Sequence, residues 1–240
     1  KAFNLEWEDL PLANLLYTRY NMPVSILNDS QAAAIGEYVY GEGHQPNENL
    51  IVVNVKYGTS AGILINGKLF QGDGGGAGEI GHVVVQKDGV LCRCGKRGCL
   101  ETLASTRAII QRAKLLAPET KSSILPKQGE EISLEEIKDA FLVEDALAQK
   151  IVFEAGHYLG TSIANLVGIL NIQKIVLTGE MIRFGDLWLH SVEDAMHQAA
   201  FNKMAQDTTI ELGKMELQGC ILGASASMLL NGYSLLFQSQ

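Results

Sequence analysis

The pattern of hydrophobic and polar positions divides the chain into alternating strand-like and helix-like segments. Short runs rich in β-branched residues predict strands, and apolar positions spaced three and four residues apart predict helices. The predicted strands are residues 22–27, 50–57, 61–65, 68–70, 82–86, 174–177 and 208–212. The predicted helices are residues 12–20, 29–40, 106–116, one that begins at Ser133, 143–170, 186–202 and 219–230. This alternation predicts an α/β fold with layered sheets.

Two short motifs locate a turn and a helix start within this pattern. Asn66-Gly67 lies between two predicted strands, and this dipeptide favours the tight turn of a β-hairpin. Ser133 followed by Glu136 forms a capping box, which predicts that a helix begins there. A Gly- and Pro-containing loop near residue 48 predicts a boundary between two structural units.

Composition and charge limit what this stretch can contact. The chain has 240 residues, of which 47% are hydrophobic, so it is long enough to bury a large core. Its net charge of −8 repels the phosphate backbone of DNA, so these residues are not expected to contact DNA themselves. Residues 155–173 and 217–240 are uncharged, but Gly, Ser, Asn and Gln dilute both stretches. We therefore expect packed helices there and no membrane contact.

The N-terminal residues and the cysteines indicate the cellular compartment. Residues 1–20 contain no basic start followed by an apolar run, which predicts a cytoplasmic protein without a signal peptide. Residues 1–10 form neither a start segment nor a clear first element, so we expect the chain to be the later part of a longer protein. In a reducing compartment, clustered thiols favour a metal site over a disulfide.

The most specific pattern is a cluster of metal ligands. His82 precedes Cys92, Cys94 and Cys99, which together supply three thiolates and one imidazole. This set completes the tetrahedral shell of a structural Zn²⁺ ion, and nearby glycines allow the loop to fold tightly around it. The alternatives are buried thiols with a core histidine, or a nucleic-acid-binding zinc finger. The acidic charge and the lack of a second ligand pair at finger spacing weaken the finger interpretation.

Four polar side chains are candidates for contacts with a ligand. Asn28 and Asp29 stand at a strand-to-helix junction, where a carboxylate can accept a proton or a hydrogen bond from a substrate hydroxyl. The alternative for this pair is a helix N-cap. Glu79 and Glu101 flank the metal loop, and carboxylates suit the recognition of vicinal hydroxyls. The alternative for these glutamates is a solvated acidic surface.

Taken together, these motifs resemble the ROK family, which groups repressors, open reading frames and sugar kinases. Family members carry Glu-x-Gly-His and then Cys-x-Cys-Gly-x-x-Gly-Cys-x-Glu, and this chain has both motifs in residues 79–82 and 92–101. The family's Asn-Asp-x-Asn-Ala-Ala resembles residues 28–33, with Gln31 in place of the second asparagine. The resemblance implies an actin-like (ribonuclease H-like) fold of two α/β lobes. Residues 1–48 with a closing helix over 223–240 would form an incomplete N-terminal lobe, and residues 49–222 the larger one.

The resemblance also implies roles for individual residues. A monosaccharide or sugar phosphate would bind in the cleft between the lobes, surrounded by Asn28, Asp29, Glu79, His82 and Glu101. His82 would hold zinc through one ring nitrogen and face the sugar with the other. In kinase members, the aspartate matching Asp29 is the catalytic base that activates the sugar hydroxyl for attack on ATP.

The chain departs from the kinase members where they bind phosphates. Kinases carry Gly-Thr-Gly-Ile-Gly after the strand, whereas this chain has Lys56-Tyr57-Gly58-Thr59-Ser60, whose side chains would crowd a nucleotide. Glu180 places a negative charge at the second nucleotide turn, and the phosphate-binding Asp-x-Gly-x-Thr motif does not occur in these residues. The resemblance therefore favours a transcriptional repressor without enzyme activity.

The alternative is an ATP-dependent hexose or N-acetylhexosamine kinase that uses Asp29, ATP and Mg²⁺. For a repressor, the resemblance implies a homodimer or higher homo-oligomer. It also implies that DNA is bound only through an N-terminal helix-turn-helix domain outside this chain.

Overall fold

The structure, a computed structural model, describes residues 10–41, 45–121, 123–126, 131–215 and 218–236, with only the backbone described for residues 231–236. Its strands are β1 (Leu50–Val55), β2 (Thr59–Ile65), β3 (Lys68–Leu69), β4 (Lys174–Gly179) and β5 (Thr209–Leu212). Its helices are α1 (Leu12–Tyr20), α2 (Asp29–Tyr40), α3 (Glu101–Ala104), α4 (Thr106–Leu116), α5 (Leu134–Leu142), α6 (Ala146–Leu170), α7 (Gly185–Ala199), α8 (Asn202–Gln206) and α9 (Gly219–Leu236). Short 3₁₀ helices cover Ile80–His82 and Glu180–Phe184.

The strands of the described residues form one mixed sheet in the order β3-β2-β1-β4-β5. β1, β4 and β5 run parallel, and β2 is antiparallel to both β1 and β3. Asn66 and Gly67 join β2 to β3 with φ angles of 52° and 71°, as the predicted hairpin turn requires. The predicted α/β class is therefore confirmed.

Burial on both faces of β1 explains its continuous apolar sequence. Ile51, Val53 and Val55 belong to the main core, which lies between the sheet and α6. Leu50 and Val52 point to the opposite face and pack with residues of α2. A strand covered on both faces needs apolar side chains at every position rather than at alternate ones.

Helices α2 and α9 cross at very short range because small residues line the contact. A Cβ atom on Gly223 would lie 1.7 Å from the backbone oxygen of Ala32, and one on Gly36 would lie 2.3 Å from that of Gly219. The N-terminal part of α9 is therefore fixed against α2 beside the sheet. The division into lobes of residues 1–48 with 223–240 and of 49–222 stays a prediction, and residues 1–9 and 237–240 lie outside the described residues.

Two predicted strands are wrong. Residues 22–27 form no strand, and Met22 and Ile26 are more than half exposed. No described strand lies beside this segment to accept its backbone hydrogen bonds, so β-propensity alone does not make it a strand. Residues 82–86 contain a single bridge between Val84 and Cys99, because the metal loop turns the backbone away after one pair.

The longest helix begins later than predicted. Asp145 caps α6, and its carboxylate accepts hydrogen bonds from the backbone N–H groups of Leu147 and Ala148. The break before this cap separates α5 from α6, which the apolar pattern of residues 143–170 did not reveal. No described helix combines the length and apolar character needed to cross a membrane.

We expect Asp145→Ala to lower the free energy of unfolding by about 2 kcal/mol at neutral pH. The carboxylate also binds the N–H of Ile124 and the hydroxyl of Ser123, so its loss frees a loop as well as a helix start. Burial raises its pKa, but these hydrogen bonds outweigh burial and hold the pKa below its ordinary 3.8. Because the pKa of this carboxyl is lower in the folded than in the unfolded state, the ionised group stabilises the folded protein at pH values above the unfolded-state pKa. This stabilisation is lost as the pH falls through the folded-state pKa.

The difference in the free energy of unfolding between wild type and Asp145→Ala should therefore become smaller as the pH falls below the ordinary aspartate pKa. Urea denaturation at a series of pH values would measure this difference. Exposed Asp139→Ala is the control and should change stability little at any pH. A difference that stayed constant down to strongly acid pH would contradict the role of the ionised carboxylate.

Candidate metal centre and adjoining carboxylates

The four predicted metal ligands lie together. The ligand atoms of His82, Cys92, Cys94 and Cys99 are all within 4.8 Å of one another. His82 Nδ1 is 3.5 Å from Cys92 Sγ, and Cys94 Sγ is 3.6 Å from Cys99 Sγ. Three sulfurs and one imidazole nitrogen at this spacing could hold one metal ion with tetrahedral geometry.

The loop backbone brings the sulfurs to one point. Cys92 N–H donates to the oxygen of Lys96, and Gly95 N–H donates to the oxygen of Cys92. Gly95 and Gly98 have φ angles of 86° and 74°, which side chains other than glycine rarely adopt. The expectation that these glycines permit a tight loop is therefore confirmed.

The thiols of this cluster differ in proton affinity. Burial, followed by contacts with Cys94 and Cys92, raises the pKa of Cys99 to about 12. Burial also acts to raise the pKa of Cys94, but hydrogen bonds from the Lys96 backbone and the other two thiols lower it below its ordinary 9.0. Three thiolates this close to one another need a positive charge among them, which a divalent metal supplies.

Glu101 immediately follows the metal loop and is almost fully buried. It begins α3 two residues after Cys99, and its residue exposure is 2%. Its Oε2 accepts a 2.8 Å hydrogen bond from Arg93 Nη2, whereas its Oε1 is buried without a hydrogen-bond partner among the described residues. A Cβ atom on Gly58 would lie 2.6 Å from Oε2 and 3.2 Å from Arg93 Nη2. Glycine at position 58 therefore leaves room for this ion pair.

Asn28 and Asp29 stand at the start of α2, as predicted. Asn28 is the N-cap: its side chain accepts from Ser30 N–H at 2.9 Å, and Gln31 completes a capping box with the Asn28 backbone. Asp29 Oδ1 also accepts from Ser30 N–H, and the residue is exposed. The N-cap interpretation is confirmed for Asn28, and it leaves the Asp29 carboxylate at the positive end of the helix.

The beginning of β2 connects these groups. Ala61 N–H donates to the oxygen of Gly78, next to exposed Glu79, and the Ala61 oxygen accepts from Ser30 Oγ. One strand residue therefore lies between the start of α2 and the loop that carries Glu79. Gly81, beside His82, packs against Thr59, since a Cβ atom there would lie 2.0 Å from the Thr59 oxygen. Residues 58–61 thus contact Glu101 directly, and they contact Ser30, Gly78 and Gly81, which are sequence neighbours of Asp29, Glu79 and His82.

The turn before β2 carries contacts that the sequence did not reveal. Lys56 Nζ lies 3.4 Å from Cys220 Sγ, and this thiol donates to the backbone oxygen of Asp29 at 3.2 Å. The Tyr57 ring lies 5.4 Å from the guanidinium carbon of Arg107. Glu180 Oε2 accepts a 3.1 Å hydrogen bond from Thr106 Oγ1 at the start of α4. Lys56, Tyr57 and Glu180, which stand where kinase members have glycine, threonine and a glycine run, therefore have contacts with neighbouring elements.

A cavity of about 350 Å³ lies away from the candidate metal ligands, at the edge of the sheet where the parallel strands begin. Asn171, Lys174 and Thr209 line it, near the N-terminal ends of β4 and β5. Glu101 and the 56–60 turn instead lie beyond the C-terminal end of β1, the edge where α/β proteins bind their ligands. We therefore assign the candidate site to the metal centre and the surrounding carboxylates.

Comparison with known proteins agrees with the motifs and the fold. A xylose repressor from Caldicellulosiruptor bescii is 32% identical over 230 residues, 95% of this chain and 57% of the repressor. A glucokinase from Halalkalibacterium halodurans is 34% identical over 226 residues, 92% of this chain and 68% of that enzyme. The chain thus spans little more than half the length of the repressor.

A solved structure extends the likeness to the fold. The ROK family glucokinase from Streptomyces griseus, in complex with glucose and AMPPNP, superposes with a TM-score of 0.83 at 28% identity, over 93% of this chain and 74% of the enzyme. The predicted actin-like (ribonuclease H-like) fold class is therefore confirmed. Residues 1–230 also match the ROK family as a whole. On this match and these identities, the chain belongs to the ROK family.

Proposed function

We propose that this chain is the carbohydrate-sensing, effector-binding domain of a ROK-family transcriptional repressor. In this proposal, a monosaccharide or sugar phosphate binds between the Asn28–Asp29 helix start and the loop carrying Glu79, His82 and Glu101. Glu101 carries the proposal, because its buried Oε1 lacks a hydrogen-bond partner among the described residues. A sugar hydroxyl is a neutral donor that would satisfy this oxygen.

A structural zinc ion would hold the loop in place. His82, Cys92, Cys94 and Cys99 supply the preferred ligands of zinc and leave no open coordination position for substrate. Because His82 Nδ1 lies on the side of Cys92, metal binding there would place the ring proton on Nε2. That N–H would donate to a sugar oxygen, while Glu79, Asp29 and Glu101 accept from hydroxyl groups.

The choice of a sensor over a kinase rests on the turn of residues 56–60. Lys56 and Tyr57 replace residues that kinase members use to approach phosphates through the backbone, and both side chains have partners on α9 and α4. Phosphoryl transfer depends on the positioning of phosphates, so a filled cradle removes its main contribution. The similarity to a xylose repressor is consistent with this choice. Because the chain is also similar to a glucokinase, the alternative function is a sugar kinase that uses Asp29 as its catalytic base.

In the proposed mechanism, effector binding closes the cleft and shifts the balance between conformations of a homodimer. The spacing of DNA-binding domains outside this chain would change with that balance.

A coupled ATP-consumption assay on the full-length protein tests this proposal, with hexoses and N-acetylhexosamines as substrates. We expect saturable binding of a sugar by calorimetry without sustained ATP consumption. Turnover that is present in the wild type and lost in Asp29→Asn would overturn the sensor in favour of the kinase. Because Asp29 is exposed, this substitution should leave the melting temperature unchanged, so a loss of turnover would not reflect unfolding.

A further inference from the structure

Gln31 connects the start of α2 to a glycine-rich loop, residues 71–77. Its Oε1 accepts a 3.3 Å hydrogen bond from Asn28 N–H, and its Nε2 donates a 3.1 Å hydrogen bond to the backbone oxygen of Gly75. Gln31 is only 3% exposed, so water competes little for either bond. One side chain therefore completes the helix cap and also holds the loop.

The hydrogen bond from Gln31 is a tether between two fixed ends. Phe70 N–H and the oxygen of Gly78 are hydrogen-bonded to β2, one on each side of the loop. The bonds from Gly75 N–H to Gly72 and from Ala77 N–H to Gln71 lie within the loop itself. In the part of the chain that the structure describes, the Gln31–Gly75 bond is thus the hydrogen bond that joins residues 71–77 to the rest of the protein.

Gly74 and Gly76 give the loop a freedom that its packing does not require. A Cβ atom on either glycine would have no heavy atom within 4 Å beyond its chain neighbours, and neither residue has a positive φ. Side chains would therefore fit at both positions. Glycine leaves the backbone more conformations than any other residue, as suits a loop that opens and closes over a site.

The tether joins the two sides of the proposed sugar site. Gln31 is in the first turn of α2, two residues after Asp29, and the loop leads directly into Gly78 and Glu79. Gly78 is fixed to β2 independently of Gln31, because its oxygen accepts from Ala61 N–H. Loss of the tether would therefore free the loop and leave Glu79 in its place.

We propose that Gln31 is a positioning residue that latches residues 71–77 across the sugar site, and that a sugar enters or leaves when the Gln31–Gly75 hydrogen bond breaks. This inference rests on the proposed function and adds control of ligand exchange to the same site. The latch is formed in the protein without a ligand, so it slows entry as well as release. It therefore sets the rates of sugar exchange and leaves the affinity almost unchanged.

Gln31→Glu separates the latch from the helix cap. Glutamate keeps the oxygen that accepts from Asn28 N–H, and it suits a capping box as well as glutamine does. It lacks the donor to the Gly75 oxygen, and its second carboxylate oxygen would repel that oxygen. We expect amide hydrogen exchange in residues 71–77 of the full-length protein to be about fivefold faster than in wild type, at a similar melting temperature.

Gln111→Glu is the matched control, because Gln111 is an exposed glutamine on α4. It adds the same charge away from the loop and should leave both the exchange of residues 71–77 and the binding of sugar unchanged.

NMR exchange measurements test the effect on the sugar site, with glucose, xylose and N-acetylglucosamine as probes and calorimetry for the affinity. For a sugar that binds wild type, Gln31→Glu should raise the association and dissociation rate constants about fivefold each and change the Kd by less than about twofold. The double variant Gly74→Ala, Gly76→Ala should lower both rate constants about threefold, because alanine makes the open loop less favourable.

Unchanged loop exchange or unchanged sugar dissociation in Gln31→Glu would overturn this inference and leave the proposed function standing. A weaker affinity with an unchanged dissociation rate would also contradict it, because Gln31 would then act on the site through the helix cap. If Gln31→Glu does not fold, the double glycine variant decides, and wild-type rates in that variant would count against the latch. If none of the three sugars binds wild type, the proposed function and this inference both fail.

Discussion

Removal of the zinc ion proposed at His82 and the three cysteines, with a strong chelator, is expected to lower the free energy of unfolding by about 4 kcal/mol or more. In the loop between His82 and Glu101, four apolar side chains are about half exposed and bury little surface: Val83, Val84, Val90 and Leu91. Its buried side chains are those of Cys92, Cys99 and Leu100. Without a metal, Cys99 stays protonated because its pKa is raised to about 12, so the metal–thiolate bonds that would hold the loop are lost. Elemental analysis should find about one zinc ion per chain, and thermal unfolding with and without chelator should measure the loss.

Cys94→Ser separates this effect from non-specific damage by the chelator. Cys94 is less buried than the other two thiols, so serine fits its position while removing one of four ligands. We expect this variant to lose most of its zinc, to melt at a lower temperature and to bind its effector more weakly. Cys220→Ser is the matched control, because this cysteine lies outside the cluster, and it should keep its zinc. Equal zinc content and melting temperature in Cys94→Ser and wild type would contradict a metal centre at these residues.

Features encoded by neighbouring residues were predictable from the sequence. The bounds of α1 and α4 agree with the prediction. In α4 the spacing of apolar residues records which helix face is buried, whereas α1 has no buried residue. The hairpin at Asn66-Gly67 and the capping box at Ser133 and Glu136 depend on contacts within three residues. The grouping of the four candidate metal ligands was also predictable, since three of them lie within eight positions.

Features that depend on distant partners were not predictable. Residues 22–27 have the composition of a strand, but a strand also needs a neighbouring strand, which no described residue supplies. The contact between Lys56 and Cys220 joins positions 164 residues apart, and it arises from the packing of α9 on α2. The Arg93–Glu101 ion pair spans eight positions, yet no periodic pattern marks it, because the folded metal loop sets the direction of the arginine.

Glu101→Gln is expected to weaken effector binding by about a hundredfold, or about 3 kcal/mol. The substitution preserves the size of the side chain and removes the negative charge that accepts hydrogen bonds in a nearly dry environment. An amide presents one accepting oxygen and a donating NH₂ group, so it cannot accept a hydrogen bond from Arg93 through one end and from a sugar hydroxyl through the other. Calorimetry with the effector identified for wild type would measure the change.

Arg93→Gln distinguishes ligand binding from a structural role of the same carboxylate. If Glu101 served only to anchor the metal loop through the ion pair, Arg93→Gln and Glu101→Gln would lower the melting temperature alike and weaken effector binding alike. If its Oε1 binds the sugar, Arg93→Gln leaves that atom in place, and its loss of affinity should be much smaller than that of Glu101→Gln. Exposed Glu119→Gln removes the same charge from the surface and should change neither property. Affinity within about threefold of wild type in Glu101→Gln would show that the unpartnered oxygen has no ligand to bind, because even one charged hydrogen bond contributes more than that.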